Sequence, residues 1–271
     1  MSIPTPPAPA SGLGPYGAEL LNQLRSELRK TYSTKLWWAL LIPAVLLSLL
    51  VNLALSQGDA LAFTSALGMA TVLGSGSSKL AVIYGLICAG SEFRHRTITT
   101  SYLAAPRRTL VVGAKAAVAA LVGAVYAVAS SIAGLLGIVL GGGFPNTQPD
   151  TLLGVCGAAV LTFALWAVLG VGVGTLLNNQ LAAIVTVLLY LLLVEQIIIG
   201  LASLFGVGQI EEYLPGGAAN AVLTDLASAG SLGGLLGGGV LPWWLALLIF
   251  TGYALVAVLA GAAAAQRRDV T

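Results

Sequence analysis

Gly90-Ser-Glu-Phe-Arg-His-Arg-Thr-Ile-Thr-Thr-Ser-Tyr-Leu-Ala-Ala-Pro-Arg-Arg-Thr109 is the one long polar interruption in a chain that is otherwise almost continuous hydrocarbon. Continued to Lys115, it holds five of the twelve lysine and arginine residues: Arg94, Arg96, Arg107, Arg108 and Lys115. Apolar runs long enough to cross a bilayer flank it, so the stretch is expected in water between two spans. Basic residues close to span ends are retained on the cytoplasmic side, and this loop therefore orients the whole chain.

Working outward, the composition agrees. The chain is 58% hydrophobic and 8% charged, against about 25% charged in ordinary soluble domains, and its mean hydropathy is +0.95. That balance describes an integral membrane protein. A net charge of +2 gives no reason to expect a nucleic-acid partner. Several apolar runs approach the roughly 20 residues a spanning helix needs, and no alternating ten-residue barrel pattern occurs. The expected fold is an all-α membrane protein.

Residues 1–15, rich in Pro and small side chains and lacking the marks of a signal peptide, read as a disordered cytoplasmic tail. Residues 16–35 read as an amphipathic interfacial helix. Leu20, Leu24, Leu28 and Tyr32 recur every four residues with Leu21 beside them, while Glu19, Asn22, Gln23, Arg25, Glu27, Arg29 and Lys30 take the other side. Basic residues there suit an anionic leaflet of membrane lipid, and Trp37-Trp38 suits the headgroup boundary.

Residues 36–271 form one six-span domain. The spans are placed at about residues 36–56, 70–89, 110–140, 151–177, 181–204 and 243–265. Gly74-Ser-Gly-Ser-Ser-Lys79 is expected to unwind the second span locally, and Pro106 to sit in the first turn of the third helix. Residues 206–239 form an outer segment that dips toward the membrane. Six spans put both termini on one side, and the charges agree: eleven basic residues fall inside, whereas Asp59, Asp150, Glu211, Glu212 and Asp225 fall outside. The expected location is the cell membrane, with both termini cytoplasmic.

Catalytic motifs are missing. No G-x-x-x-x-G-K-[ST] occurs, nor H-E-x-x-H, nor G-x-S-x-G, and His95 is the only histidine. Cys88 and Cys156 fall at opposite membrane faces, so neither a disulfide nor a Cys/His metal site is expected. The chain is not read as an enzyme, and no cofactor is expected on it. Three polar residues within spans are pathway candidates: Lys79, Glu195 and Gln196. Charges at membrane depth are costly and usually pair or line a wet cavity. Counted from the cytoplasmic span ends, Lys79 is roughly 16 Å and Glu195 roughly 21 Å deep, so the two are expected inside the protein and near each other. A direct pair, a Lys79 that snorkels outward and a protonated Glu195 packed between helices all fit the sequence. Small residues at four-residue spacing allow close helix contacts: Ala133, Gly137 and Gly141; Gly170 and Gly174; Gly230, Gly234 and Gly238.

Three features, in order, resemble permease subunits of type-2 ATP-binding-cassette (ABC) exporters. They are Glu27-Leu-Arg-Lys-Thr-Tyr-Ser-Thr-Lys-Leu-Trp-Trp38; the loop Glu92-Phe-Arg-His-Arg-Thr97 followed by Ala105-Pro-Arg-Arg108 and Lys115; and Tyr213-Leu-Pro-Gly-Gly-Ala-Ala219. The resemblance implies a connecting helix on the membrane, a coupling helix after the second span and outer re-entrant helices before the sixth. It assigns Glu92, Phe93, Arg94, Arg96 and Thr97 to docking of a separate ATPase. It also implies a second permease subunit, identical or homologous, with ATP and Mg on the ATPase partner and export of a hydrophobic or amphipathic substrate. Two other classes compete: a non-transporting assembly or scaffold protein, and an ion-coupled secondary transporter, which Lys79 and Glu195 favour.

Overall fold

The computed structural model describes residues 15–57, 69–70, 72–94, 108–142, 149–177, 179–228 and 241–267. Expectations for the tail, for Arg96, Thr97 and Pro106, for Asp59 and for the Gly230, Gly234 and Gly238 row lie outside them. Every regular element among the described residues is helical. In chain order these are α1 (Pro15–Ser33), α2 (Leu36–Gln57), a π-helical turn (Val72–Ser77) leading into α3 (Ser78–Arg94), α4 (Arg108–Gly141) and α5 (Pro149–Leu177). Then come α6 (Gln180–Leu189), a second π-helical turn (Tyr190–Val194), α7 (Glu195–Leu204), a 3-10 turn (Gly208–Tyr213), α8 (Pro215–Ser228) and α9 (Trp243–Arg267).

Five helices are long and apolar enough to cross a membrane: Leu36–Gln57, Thr109–Gly141, Pro149–Leu177, Gln180–Leu204 and Trp243–Arg267. The chain is thus a helical, multi-pass membrane protein. The fourth of these helices runs through the second π turn without a break. Around Gly74 and Gly76, where local unwinding is expected, the helix departs from α geometry and widens into a π turn, which keeps backbone groups bonded where water is scarce.

Helix α5 is the hub, packed against α3, α4, α8 and α9. Its Phe163 and Trp166 are fully buried, in the same core cluster as Tyr84 of α3, Tyr126 of α4 and Phe250 of α9. In a bilayer, burial from lipid brings little hydrophobic gain, so association rests on close contact and hydrogen bonds. Small residues supply the contact. A Cβ on Gly170 would meet Leu86 N at 3.0 Å and Val82 O closer still, which fixes how near α3 and α5 run. Gly137 plays the same part toward Leu49 and Leu53 of α2. Buried hydrogen bonds add to it: Ser48 Oγ donates to Ser130 O at 2.7 Å, and Tyr126 OH to Trp37 O at 2.7 Å.

Two charged side chains depart from the sequence reading. Glu27, placed by hydropathy on the polar side of α1, is only 2% exposed, and Lys115, expected in water, only 3%. They find each other: Lys115 Nζ lies 2.9 Å from Glu27 Oε2, and Lys30 Nζ 2.6 Å from Glu27 Oε1. One turn on, Thr31 Oγ1 and Tyr84 OH share a hydrogen bond of 3.1 Å. The inward face of α1 therefore runs through Leu24, Glu27 and Thr31, while Tyr32, expected on the apolar side, is 72% exposed. Hydropathy assigns every charge to water, so it misplaces a carboxylate whose partner comes from another helix.

Candidate functional site

The charged residues expected at membrane depth line one cavity of about 290 Å³. Lys79 is the second residue of α3, directly after the first π turn. Glu195 opens α7, directly after the second. Each π turn accommodates an extra residue and so re-aims the side chains beyond it, and such turns recur at functional sites. Leu191 and Glu195 share the buried side of the long helix Gln180–Leu204, while Gln196 is exposed at the cavity rim.

The Glu195 carboxylate is held by the start of α8. Its Oε1 accepts the Gly217 N–H at 2.9 Å, at the N-terminus of α8, where free N–H groups and the helix dipole favour a negative charge. Pro215 costs that helix nothing at its first position. Gly216 is required by proximity: a Cβ there would lie 2.6 Å from Glu195 Oε1 and nearer still to Oε2. The Pro-Gly-Gly run is thus a seat for a carboxylate from another helix.

Lys79 takes a different partner. Its ammonium sits 4.2 Å from the centroid of the buried Trp166 ring, which in turn packs on Phe250 with centroids 4.9 Å apart. Cation–π attraction of this kind is worth on the order of 1–2 kcal/mol once desolvated. Among the described residues Lys79 meets no carboxylate within ion-pair distance, although Glu195 and Glu211 line the same cavity. Of the arrangements open to the sequence, the direct pair is not formed. Asn220, also on the wall, has an Oδ1 with no hydrogen-bond partner among the described residues. The cavity therefore presents a cation, two carboxylates and a free amide oxygen beside Leu188, Leu191 and Leu192, at the small end of the roughly 300–1,000 Å³ range of ligand sites.

The 3-10 turn and α8 are fastened to the last long helix and the residues just before it by acidic side chains that sequence reasoning used only as topology markers. Glu212 Oε2 accepts the Leu241 N–H at 2.6 Å, and Asp225 Oδ2 the Trp243 N–H at 2.9 Å, capping α9. Tyr253 OH donates to Tyr213 O at 2.9 Å. Loss of solvent pushes the Glu212 carboxyl above the usual range, helped by Glu211 and Asp225 nearby and opposed by the Leu241 N–H.

Of the loop residues, Glu92, Phe93 and Arg94 close the backbone of α3, and Arg96 and Thr97 lie outside the described residues. Glu92 is thirteen residues along α3 from Lys79, about 20 Å, so the loop and the cavity occupy opposite ends of one helix. Among the described residues no cluster of three His, Cys, Asp or Glu side chains converges to hold a metal ion. Neither a search of protein-family models nor one of curated proteins finds a match to this chain.

Proposed function

We propose that this chain is the permease subunit of a type-2 ABC exporter, moving a hydrophobic or amphipathic substrate outward with energy from a separate ATPase. In this reading the first π turn and α3 together make a sixth span, Val72 to Arg94, long enough for about 30 Å of hydrocarbon. Both termini are then cytoplasmic, in the cell membrane, and a second permease subunit completes the pathway. The observation that carries the reading is how α1 is fastened. Its ties, Glu27 to Lys115 and Thr31 to Tyr84, go to the two helices that flank the basic loop. A push on that loop by an ATPase reaches α1, α3 and α4 together. The experiment is site-specific photocrosslinking from Phe93 in native membranes. Capture of a nucleotide-hydrolysing subunit is expected; a correctly inserted chain that captures none overturns the reading.

A second reading, an ion-coupled transporter, is favoured by Lys79, Glu195 and Glu211 around one cavity beside two π turns. Export that persists after ATP depletion while a proton gradient is held would select it. A scaffold protein would show neither ATPase capture nor transport.

A further inference from the structure

We infer that the groove between α1 and α4 binds one anionic phospholipid of the leaflet on which α1 lies. The groove, about 660 Å³, is lined almost wholly by apolar side chains, among them Leu28, Tyr32 and Trp37 on one side and Leu121, Val125 and Val128 on the other. The α4 wall is a stripe at helical spacing, Leu121, Val125, Val128 and Ile132, each at least half exposed. From Leu121 to Ile132 the helix rises about 16 Å, close to half of the roughly 30 Å hydrocarbon core. The groove thus has the depth of one leaflet and begins at the helix that lies along its surface.

Charge identifies the headgroup. Arg25 and Arg29 stand one turn apart on α1, three residues before Leu28 and Tyr32 at the groove's edge, so they border its mouth. Both are exposed in part or whole, and they line a polar concavity of about 510 Å³ with Asn22, Ser26, Lys30 and Ser33 on the other side of the same helix. Lys30 is already engaged by Glu27, whereas Arg25 and Arg29 meet no carboxylate among the described residues. A phosphate beside them and an acyl chain in the groove satisfy both halves of α1 with one molecule. The inference rests on α1 lying on the membrane, not on export, so its test reads binding alone.

The test is native mass spectrometry of the full chain in detergent, titrated with phosphatidylglycerol and with phosphatidylcholine of identical acyl chains. One phosphatidylglycerol per chain is expected to persist at activation energies that strip phosphatidylcholine. Arg25→Gln and Arg29→Gln are each expected to weaken phosphatidylglycerol retention on the order of fivefold and to leave phosphatidylcholine unchanged. Val125→Trp, on the open face of α4, is expected to fill the groove and displace both lipids, while Val256→Trp, on the exposed side of α9, is expected to displace neither. Equal retention of the two lipids, or unchanged retention in Val125→Trp, overturns the inference. So does a lipid-free dimer whose contact maps to the Leu121–Ile132 stripe, because a second copy of the chain is then the occupant.

Discussion

Neutralising Glu27 separates the two roles its carboxylate plays. In Glu27→Gln, the ammonium of Lys115, 3% exposed, faces an amide instead of the carboxylate 2.9 Å away. Breaking a buried pair from one side costs about 3–5 kcal/mol, because the surviving charge stays desolvated. Lys30 does not share the penalty, since its side chain is 43% exposed and turns to water. Lys115→Met is milder: Glu27 keeps Lys30 at 2.6 Å, and methionine replaces the apolar stem. The double variant Glu27→Leu with Lys115→Met removes both charges and should approach or exceed the parent, as buried pairs exchanged for packed apolar groups often do. The order of stability expected is therefore double variant, Lys115→Met, Glu27→Gln. Thermal unfolding in detergent, followed by tryptophan fluorescence, reads it, with a fall on the order of 10 °C for Glu27→Gln. A Glu27→Gln protein that melts within about 2 °C of the parent, or below which the double variant falls, refutes the assignment of that energy to the pair.

Four further outcomes rest on particular contacts. Exchanging Lys79→Glu with Glu195→Lys sets an ammonium against the α8 N-terminus, so the double variant should be no more stable than the worse single one; rescue would show a direct pair. Gly170→Ala should destabilise by about 1–3 kcal/mol through overpacking against α3, whereas Gly113→Ala, with nothing within 4 Å of the new Cβ, should be neutral or gain up to about 1 kcal/mol of helix propensity; equal effects at both sites in a denaturation series contradict the α3–α5 geometry. Glu212 has a folded pKa raised above its ordinary value, so it favours the folded state most at low pH and loses that contribution as pH rises through the raised value. Glu212→Gln should accordingly stabilise the protein at pH 7, with the gain shrinking as pH falls through the raised value and gone below the usual glutamate range near about 4.3; a gain that grows on acidification gives the opposite sign and refutes it. Single cysteines at Asp150 and Asp225, in a background lacking Cys88 and Cys156, should react with an impermeant thiol reagent from outside, and one at Arg267 only after permeabilisation; the reverse pattern inverts the orientation.

The long helices were legible because each rests on one property, an apolar run of sufficient length. The starts expected near residues 36, 151, 181 and 243 fall within two residues of the helices observed. The close contacts at Gly137, Gly170 and Gly174 were legible as spacing but not as partners, since four-residue rows say which face is small and not what it meets. The contacts that stayed hidden were set by atoms far apart in the chain. Glu27 looked like a surface residue because its buried counter-charge, Lys115, is 88 residues away. Pro215-Gly-Gly217 read as a motif of a resembled family, and only the fold gives it a task, that of admitting the carboxylate of Glu195. The π turns left a fainter trace, a charged residue close behind each.

The Glu27–Lys115 tie has a consequence for how the protein is made. The two residues are 88 positions apart, and chains elongate at about 5–20 residues per second, so roughly 4–18 s separate the synthesis of the first from that of the second. Through that interval α1 exists while its seat does not, and the carboxylate of Glu27 has only Lys30, three residues along its own helix, as a counter-charge. The helix must wait until α3 and the first two turns of α4 have been delivered. A Glu27 variant should therefore lengthen the time during which the nascent protein is open to membrane proteases, even where the finished fold survives.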